Sequence, residues 1–291
     1  RKIKEMETNN LVLPPLSSKQ KELQTILNLY GEIHPDTARC YDEMGVVQRF
    51  IKDYKSAIQS HQLALQIRLK LFGENHVDTA QSYYNIGVAQ YDMKDYKSAI
   101  QSHQLALQIR LKLFGENHVE TAKSYHNIGV TQHVMKDYKS SLESKQKALQ
   151  IRLKLFGENH ADTAKSYDNI ATTQHEMKDY QSAIQSHQHA LQIRLKLFGE
   201  NHADTARGYH KIGVTLHRMK DYKSALESKE KALQIRLKLF GKNHVDTAQT
   251  YHSIGHTQHG MKDYKSAIQS HQLALQIRLK LFGENHADTA Q

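Results

Sequence analysis

Phe72, Phe114, Phe156, Phe198, Phe240 and Phe282 stand 42 residues apart, and each opens the phrase Phe-Gly-(Glu/Lys)-Asn-His. A strict period of this length means one supersecondary unit copied along the chain, each copy burying its apolar face against its neighbours. One step back from Phe72 falls on Tyr30, where Tyr30-Gly31-Glu32-Ile33-His34 is a drifted copy of the phrase. The 291 residues therefore read as one elongated array, although length alone would suggest about two globular domains.

The copy from Val77 to Phe114 shows how each one folds. Ala80, Tyr83, Ile86, Gly87, Gln90 and Met93 recur at three- and four-residue steps, the period of one helical face. After Lys94, Asp95 is placed to accept hydrogen bonds from the first amides of a second helix, Tyr96 to Phe114, and Asp53, Asp137, Asp179, Asp221 and Asp263 repeat that cap. Gly73 and Gly115 stop the second helices. Small Gly87, Ala99 and Ala106 let the two axes approach closely, whereas Lys94, Lys136 and Lys178 sit where a tight turn asks for positive φ. Leu105, Ile109 and Leu111 widen the apolar surface beyond what one hairpin buries, so the next copy must cover it.

Counting copies predicts a partial helix over 18–29, six complete pairs over about 35–282, and the start of a further, truncated copy over 285–291. The first 17 residues, with Asn9, Asn10, Pro14, Pro15 and Ser17, have the composition of a flexible segment, in which Leu11 to Leu16 could pack on the first helices. Starting at Arg1 and ending inside a copy, the sequence reads as a fragment.

Lys and Arg number 40 against 30 Asp and Glu, giving +10 with 20 histidines in reserve, so acidic partners are favoured. Many of the cations lie in the repeated Arg-Leu-Lys of the second helix, as Arg110 and Lys112, and read as a structural, solvated set. A single Cys40, the lack of an Asn-x-Ser/Thr acceptor and the shortness of every apolar run point to a cytoplasmic protein without a membrane span.

The pattern Tyr83, Ile86-Gly87, Tyr96, Ala99 and Ala106 resembles the tetratricopeptide signature. The longer period, Ala106 to Gly115 and His34-Pro35-Asp36-Thr37-Ala38 resemble the kinesin light chain and nephrocystin type of that repeat. The resemblance runs from about Ser18 to Gln291. It implies an all-α, right-handed superhelical solenoid of antiparallel helix pairs. Kinesin light chains carry Leu-Asn-Asn-Leu-Ala in mid first helix, where asparagines help hold an extended acidic peptide. Here Asn85, Asn127 and Asn169 match the second asparagine, while the first, groove-facing one has become Tyr84, His126 or Asp168.

Function is sought where the copies disagree. Second helices scarcely vary, whereas first helices vary in four columns at offsets of three, four and three residues, which is one stripe. The first column is Arg39, Gln81, Lys123, Lys165, Arg207 and Gln249. The second is Asp42, Tyr84, His126, Asp168, His210 and His252. Val46, Val88, Val130, Thr172, Val214 and His256 form the third, and Arg49, Tyr91, His133, His175, His217 and His259 the fourth. By the resemblance this stripe lines a concave groove, which would be basic and imidazole-rich, with Tyr84 and Tyr91 as apolar anchors. An extended acidic or phosphorylated peptide is the expected ligand. Protonation of His126, His133, His175, His210 and His217 on acidification would tighten it.

The expected function is thus a non-catalytic protein-interaction scaffold with no cofactor and no metal. Every His and Asp has an explanation in the repeat, and no nucleophile-base pair stands outside it. His252, His256 and His259 have a spacing that can hold a transition metal, but no Glu or Cys completes a signature, and His61 and His103 read as partly buried spacers. Alternatives from other classes are a helical-repeat reader of single-stranded RNA, and an array that self-associates end to end through Ile277 and Leu281, serving as the sensor region of a larger signalling protein.

Overall fold

The computed structural model of the chain describes residues 14–284 together with His286 and Thr289. These described residues form thirteen helices and no strand. Helix α1 is Leu16–Tyr30, and six pairs follow: α2 (Pro35–Phe50) with α3 (Tyr54–Phe72), α4 (Val77–Asp92) with α5 (Tyr96–Phe114), and α6 (Val119–Val134) with α7 (Tyr138–Phe156). Then come α8 (Ala161–Glu176) with α9 (Tyr180–Phe198), α10 (Ala203–Arg218) with α11 (Tyr222–Phe240), and α12 (Val245–Gly260) with α13 (Tyr264–Phe282). Two compact units, 1–151 and 152–291, divide within α7, and each is a stack of such hairpins. No helix among the described residues is long and apolar enough to cross a membrane.

The recurring phrase builds the joint between pairs. Phe72 stacks on His76 with ring centroids 4.3 Å apart, and His76 Nδ1 accepts the amide of Asp78 at 3.2 Å, so the histidine is the N-cap of α4. Thr79, wholly buried, donates its hydroxyl to the carbonyl of Gly73 at 2.9 Å. Gly73 itself has φ 78° and ψ −173°, a backbone region open in practice to glycine alone. The drifted copy keeps all of this: Tyr30 stacks on His34, His34 caps α2, and Thr37 reaches Gly31 at 2.8 Å. Phe282 with His286, and Thr289 with Gly283, repeat two of these contacts after α13.

Inside each pair the turn is as tight as the spacing suggests. Asp95 Oδ1 accepts the amide of Ser98 at 3.2 Å and caps α5, and the same bond recurs from Asp53, Asp137, Asp179, Asp221 and Asp263. The preceding lysine takes φ between 63° at Lys178 and 69° at Lys94 in all six pairs. A left-handed conformation costs an L-residue roughly 1–2 kcal/mol.

Close packing across the hairpin uses glycine opposite a bulky polar side chain in five of the six pairs, whereas Ala171 stands at this place in the pair that carries His187. A Cβ on Gly87 would stand 2.7 Å from the His103 ring, and one on Gly213 would stand 2.7 Å from the Lys229 stem. Between successive pairs an arginine crosses the seam: Arg68 donates to Ser82 at 2.6 Å, Arg110 to Ser124 at 2.8 Å, Arg152 to Ser166 at 2.5 Å and Arg236 to Thr250 at 2.5 Å. At Gly208 the hydroxyl is missing, and Arg194 Nη1 is buried without a partner.

Several expectations are corrected here. Leu16 and Ser17 already belong to α1, so the N-terminal segment gives way to helix earlier than residue 18, and residues 1–13 lie outside the described residues. So do 285, 287, 288, 290 and 291 of the expected truncated copy. The Arg110 side chain is structural but not solvated, being 2% exposed. Ile277 is buried, while Leu281 is exposed. Because Lys220 has φ 67° on an exposed turn, Lys220→Gly is expected to raise unfolding free energy by about 0.5–1 kcal/mol, the strain relieved less glycine's entropy cost. Urea titration measures it, with Lys220→Ala expected to give no gain.

Candidate functional site

The four variable columns do not share one fate. In the first, Arg39 donates to Asp36 at 2.8 Å, Lys123 to Glu120 at 2.5 Å, and Arg207 to Asp204, all on exposed helix surface. These are pairs three residues apart that can be exchanged for a ligand carboxylate at little cost, since exposed pairs give about 0.2–1 kcal/mol. Lys165 is half-buried.

The second column packs toward the second helix of its own hairpin, with Tyr84, His126, His210 and His252 half-buried. Asp42 and Asp168 are buried. Asp42 pairs with His61 at 2.7 Å and with Arg68, and Asp168 pairs with His187 at 2.8 Å, with Arg194, and with Lys211 at 3.2 Å. Tyr84 lies 5.7 Å from the His103 ring, with the Arg110 guanidinium 4.9 Å over its own. His126 is half-buried, and His210 has its Nδ1 buried without a partner. His252 packs edge-on against His271 at 5.1 Å.

Nineteen residues on from the second column stand His61, His103, Lys145, His187, Lys229 and His271, and Asp42, Tyr84, Asp168 and His252 meet their counterparts directly. His61 and His103 are 1% exposed, so they are core residues rather than partly buried spacers. Lys145 and Lys229, buried lysines on helices that otherwise scarcely vary, escaped the reading of the sequence. Aligning the copies would have found them, because Lys145 and Lys229 stand where the other four copies carry His61, His103, His187 and His271.

The third and fourth columns do reach open space. In the C-terminal unit a cleft of about 240 Å³ between α8 and α10 is lined by Thr172, His175, Glu176, His187, Lys211, Val214 and Thr215. A larger cleft of about 380 Å³ between α10 and α12 is lined by Val214, His217, Arg218, Lys229, Ser253 and His256. His175 Nδ1 lies 3.3 Å from the Thr215 hydroxyl, and His217 Nδ1 lies 3.4 Å from that of Thr257, so each fourth-column imidazole reaches the next first helix. Its other contact is with the tyrosine that opens its own second helix, Tyr180 or Tyr222, at 5.3 Å. Tyr91, His133 and His259 make the same ring contact with Tyr96, Tyr138 and Tyr264.

His252 and His256 approach to 3.1 Å between Nε2 atoms, while His259 faces Tyr264 instead. The expected triple spacing is therefore not a triple in space. Among the described residues no group of three or more His, Cys, Asp or Glu could hold a metal ion.

Burial governs the titration of the site. It pushes His103 down to about 4, helped by Arg110, and His210 down to about 4, helped by Arg236 and Lys229. It also lowers His175 and His217, and takes Lys229 down to about 8. Burial pushes the Asp168 carboxyl up, but the His187 hydrogen bond with the Lys211 and Arg194 charges outweighs it and holds the group well below the usual carboxylate range. His175, His210 and His217 are thereby harder to protonate than free imidazoles.

A family model described as Tetratricopeptide repeat matches residues 52–112, 78–146, 120–196, 176–238 and 204–280. No curated protein matches the sequence. Among solved structures, BtubC (BKLC) from P. vanneervenii is 20% identical with a TM-score of 0.68, covering 79% of this chain and 92% of its own. A candidate kinesin light chain of Podosopora anserina, with nearly identical TPR-like repeats, is 14% identical with a TM-score of 0.64, covering 71% of this chain and 98% of its own. The apo form of RapI is 18% identical with a TM-score of 0.73, covering 92% of this chain and 74% of its own. At these identities the likeness is one of fold.

Two outcomes follow from the buried groups. Asp168→Asn strands the cations of Arg194 and Lys211, so a loss of about 3 kcal/mol or more in urea unfolding is expected, partly recovered by adding Lys211→Met. For His103 and His210 the folded value lies below the ordinary 6.5. The unfolded chain then binds more protons between pH 6.5 and 4, and stability present above that window falls through it. The loss at pH 5 is about 2 kcal/mol per histidine. Unfolding curves at pH 7.5, 6 and 5 test this, and equal midpoints would contradict it.

Proposed function

Because the chain belongs to the tetratricopeptide repeat family, a family of protein-interaction scaffolds, we propose that it binds an extended acidic or phosphorylated peptide along the first-helix faces of its hairpins. The observation that carries this is the pair of clefts between successive first helices in the C-terminal unit, lined by the variable residues Thr172, His175, Val214, His217 and His256. Their spacing follows the helix pairs, so an extended chain would meet one cleft per copy. Arg207 stands on the same first helix as His217 and offers an exposed cation, and the chain as a whole is basic at +10. The ligand contacts are assigned to the first, third and fourth columns, and the second column is left to the interior.

Weak exposed pairs add up only over several copies, so affinity is expected to depend on neighbouring cations together. The test is fluorescence anisotropy with an oligoglutamate peptide. Reversing Lys165 and Arg207 of the C-terminal unit to glutamate is expected to weaken binding by about tenfold and to flatten its dependence on salt. Equal affinity in the reversed chain, with its helicity intact, would overturn the assignment.

A further inference from the structure

The hairpin interior solves the same electrostatic problem in different ways. Where the second column is aspartate, at Asp42 and Asp168, the carboxylate neutralises an arginine of the second helix. Where it is His210, the carboxylate is gone and a second cation, Lys229, has been added beside Arg236. Lys229 is 2% exposed, and its ammonium donates to the Ser253 carbonyl at 2.9 Å and to the Thr257 hydroxyl at 2.6 Å, both neutral. A buried ammonium without a counter-charge is costly. Here it forms part of the wall of the 380 Å³ cleft, beside Arg218, His217 and His256, and no carboxylate is among the described lining residues.

We propose that this cleft is a phosphoryl subsite, in which a phosphorylated side chain of the bound peptide supplies the negative charge that Lys229 lacks. With both imidazoles neutral, Lys229 and Arg218 carry two positive charges, the match for a phosphoryl dianion rather than a carboxylate. Its three oxygens can take hydrogen bonds from the ammonium, the guanidinium and an imidazole together. The neighbouring cleft differs in kind: Glu176 lines it, and its Lys211 already pairs with Asp168. Sites along the array are therefore unequal, and the cleft between α10 and α12 sets the register of the peptide.

This inference rests on the peptide-binding reading, and the experiment separates the two. Isothermal titration is run with the peptide Glu-Glu-Ser-Glu-Glu, its phosphoserine form, and inorganic phosphate at constant ionic strength. The chains compared are the natural one, Lys229→His and Arg218→Gln. Lys229→His installs the residue that four other copies carry at this place, so the fold is preserved, with circular dichroism as the check. The phosphoserine peptide is expected to bind the natural chain at least tenfold more tightly than the serine peptide, with the ratio falling below twofold in Lys229→His and several-fold in Arg218→Gln. A ratio near one in the natural chain, or one that survives Lys229→His, overturns the subsite while peptide binding still stands. Lys229-dependent binding of inorganic phosphate with neither peptide bound overturns both the peptide reading and the assignment of the phosphoryl group to a peptide.

Discussion

Each hairpin closes on a polar seam, hydrogen-bonded where an aspartate faces a histidine and left with a buried unpaired imidazole nitrogen at His103 and His210. A first-helix residue of the second column is followed nineteen positions later by a histidine or lysine, pressed against a helix backbone that is glycine at Gly45, Gly87, Gly129, Gly213 and Gly255. An apolar seam accepts volume-conserving apolar exchanges at modest cost. A polar seam in a low-dielectric interior does not, because removing one partner strands the other. Asp42 and Asp168 accordingly hold His61 and His187 by hydrogen bonds, while Lys145 and Lys229 occur in the copies whose second column is His126 or His210.

The seam also decides which charges are left over for a ligand. Arginines such as Arg68 and Arg110 spend their donors on the next first helix, at Ser82 and Ser124, and so leave the surface inventory. Asp168 takes up Arg194 and Lys211 and silences the cleft beside it. Where His210 replaces the carboxylate nothing absorbs Lys229, and the charge balance of one cleft differs from that of its neighbour. The net +10 of the chain is thus a poor guide to where a ligand is felt; the local count inside each copy is a better one.

Joints and turns were legible from the chain alone. A period of 42, a glycine after each second helix and an aspartate before it have local causes, and the structure places helix ends at Phe114, Tyr96 and their counterparts. The six helix pairs followed from the same phrases. What periodicity could not separate was the inner from the outer side of a variable stripe. The second and third columns are four residues apart, about one helical turn, yet one faces the partner helix and the other a cleft. That difference arises from where the second helix lies, which is a tertiary fact. Lys229 was hidden for a related reason: a lysine on a helix is usually solvated, and only the glycine at 213 and the carbonyl at 253 make it an interior residue.

The one break in the pattern between pairs falls at Gly208, and its position has a consequence. In an array stabilised by nearest-neighbour interfaces, the weakest interface limits how far order propagates. Arg194 already gives a donor to Asp168, and with no hydroxyl at 208 its Nη1 is buried without a partner. An unpaired buried donor costs about 1–3 kcal/mol. The α9–α10 joint therefore carries a penalty that the Arg152–Ser166 and Arg236–Thr250 joints on either side do not. Gly208 stands on α10, the helix whose Lys211 and Val214 help to line the cleft, so this penalty and a proposed ligand contact fall on one helix. A peptide bridging α8 and α10 would add contacts at that place, and part of its binding energy would be spent in holding the joint closed. The variable residues and the structural gap lie on the same helix, which ties the specificity of this region to its rigidity.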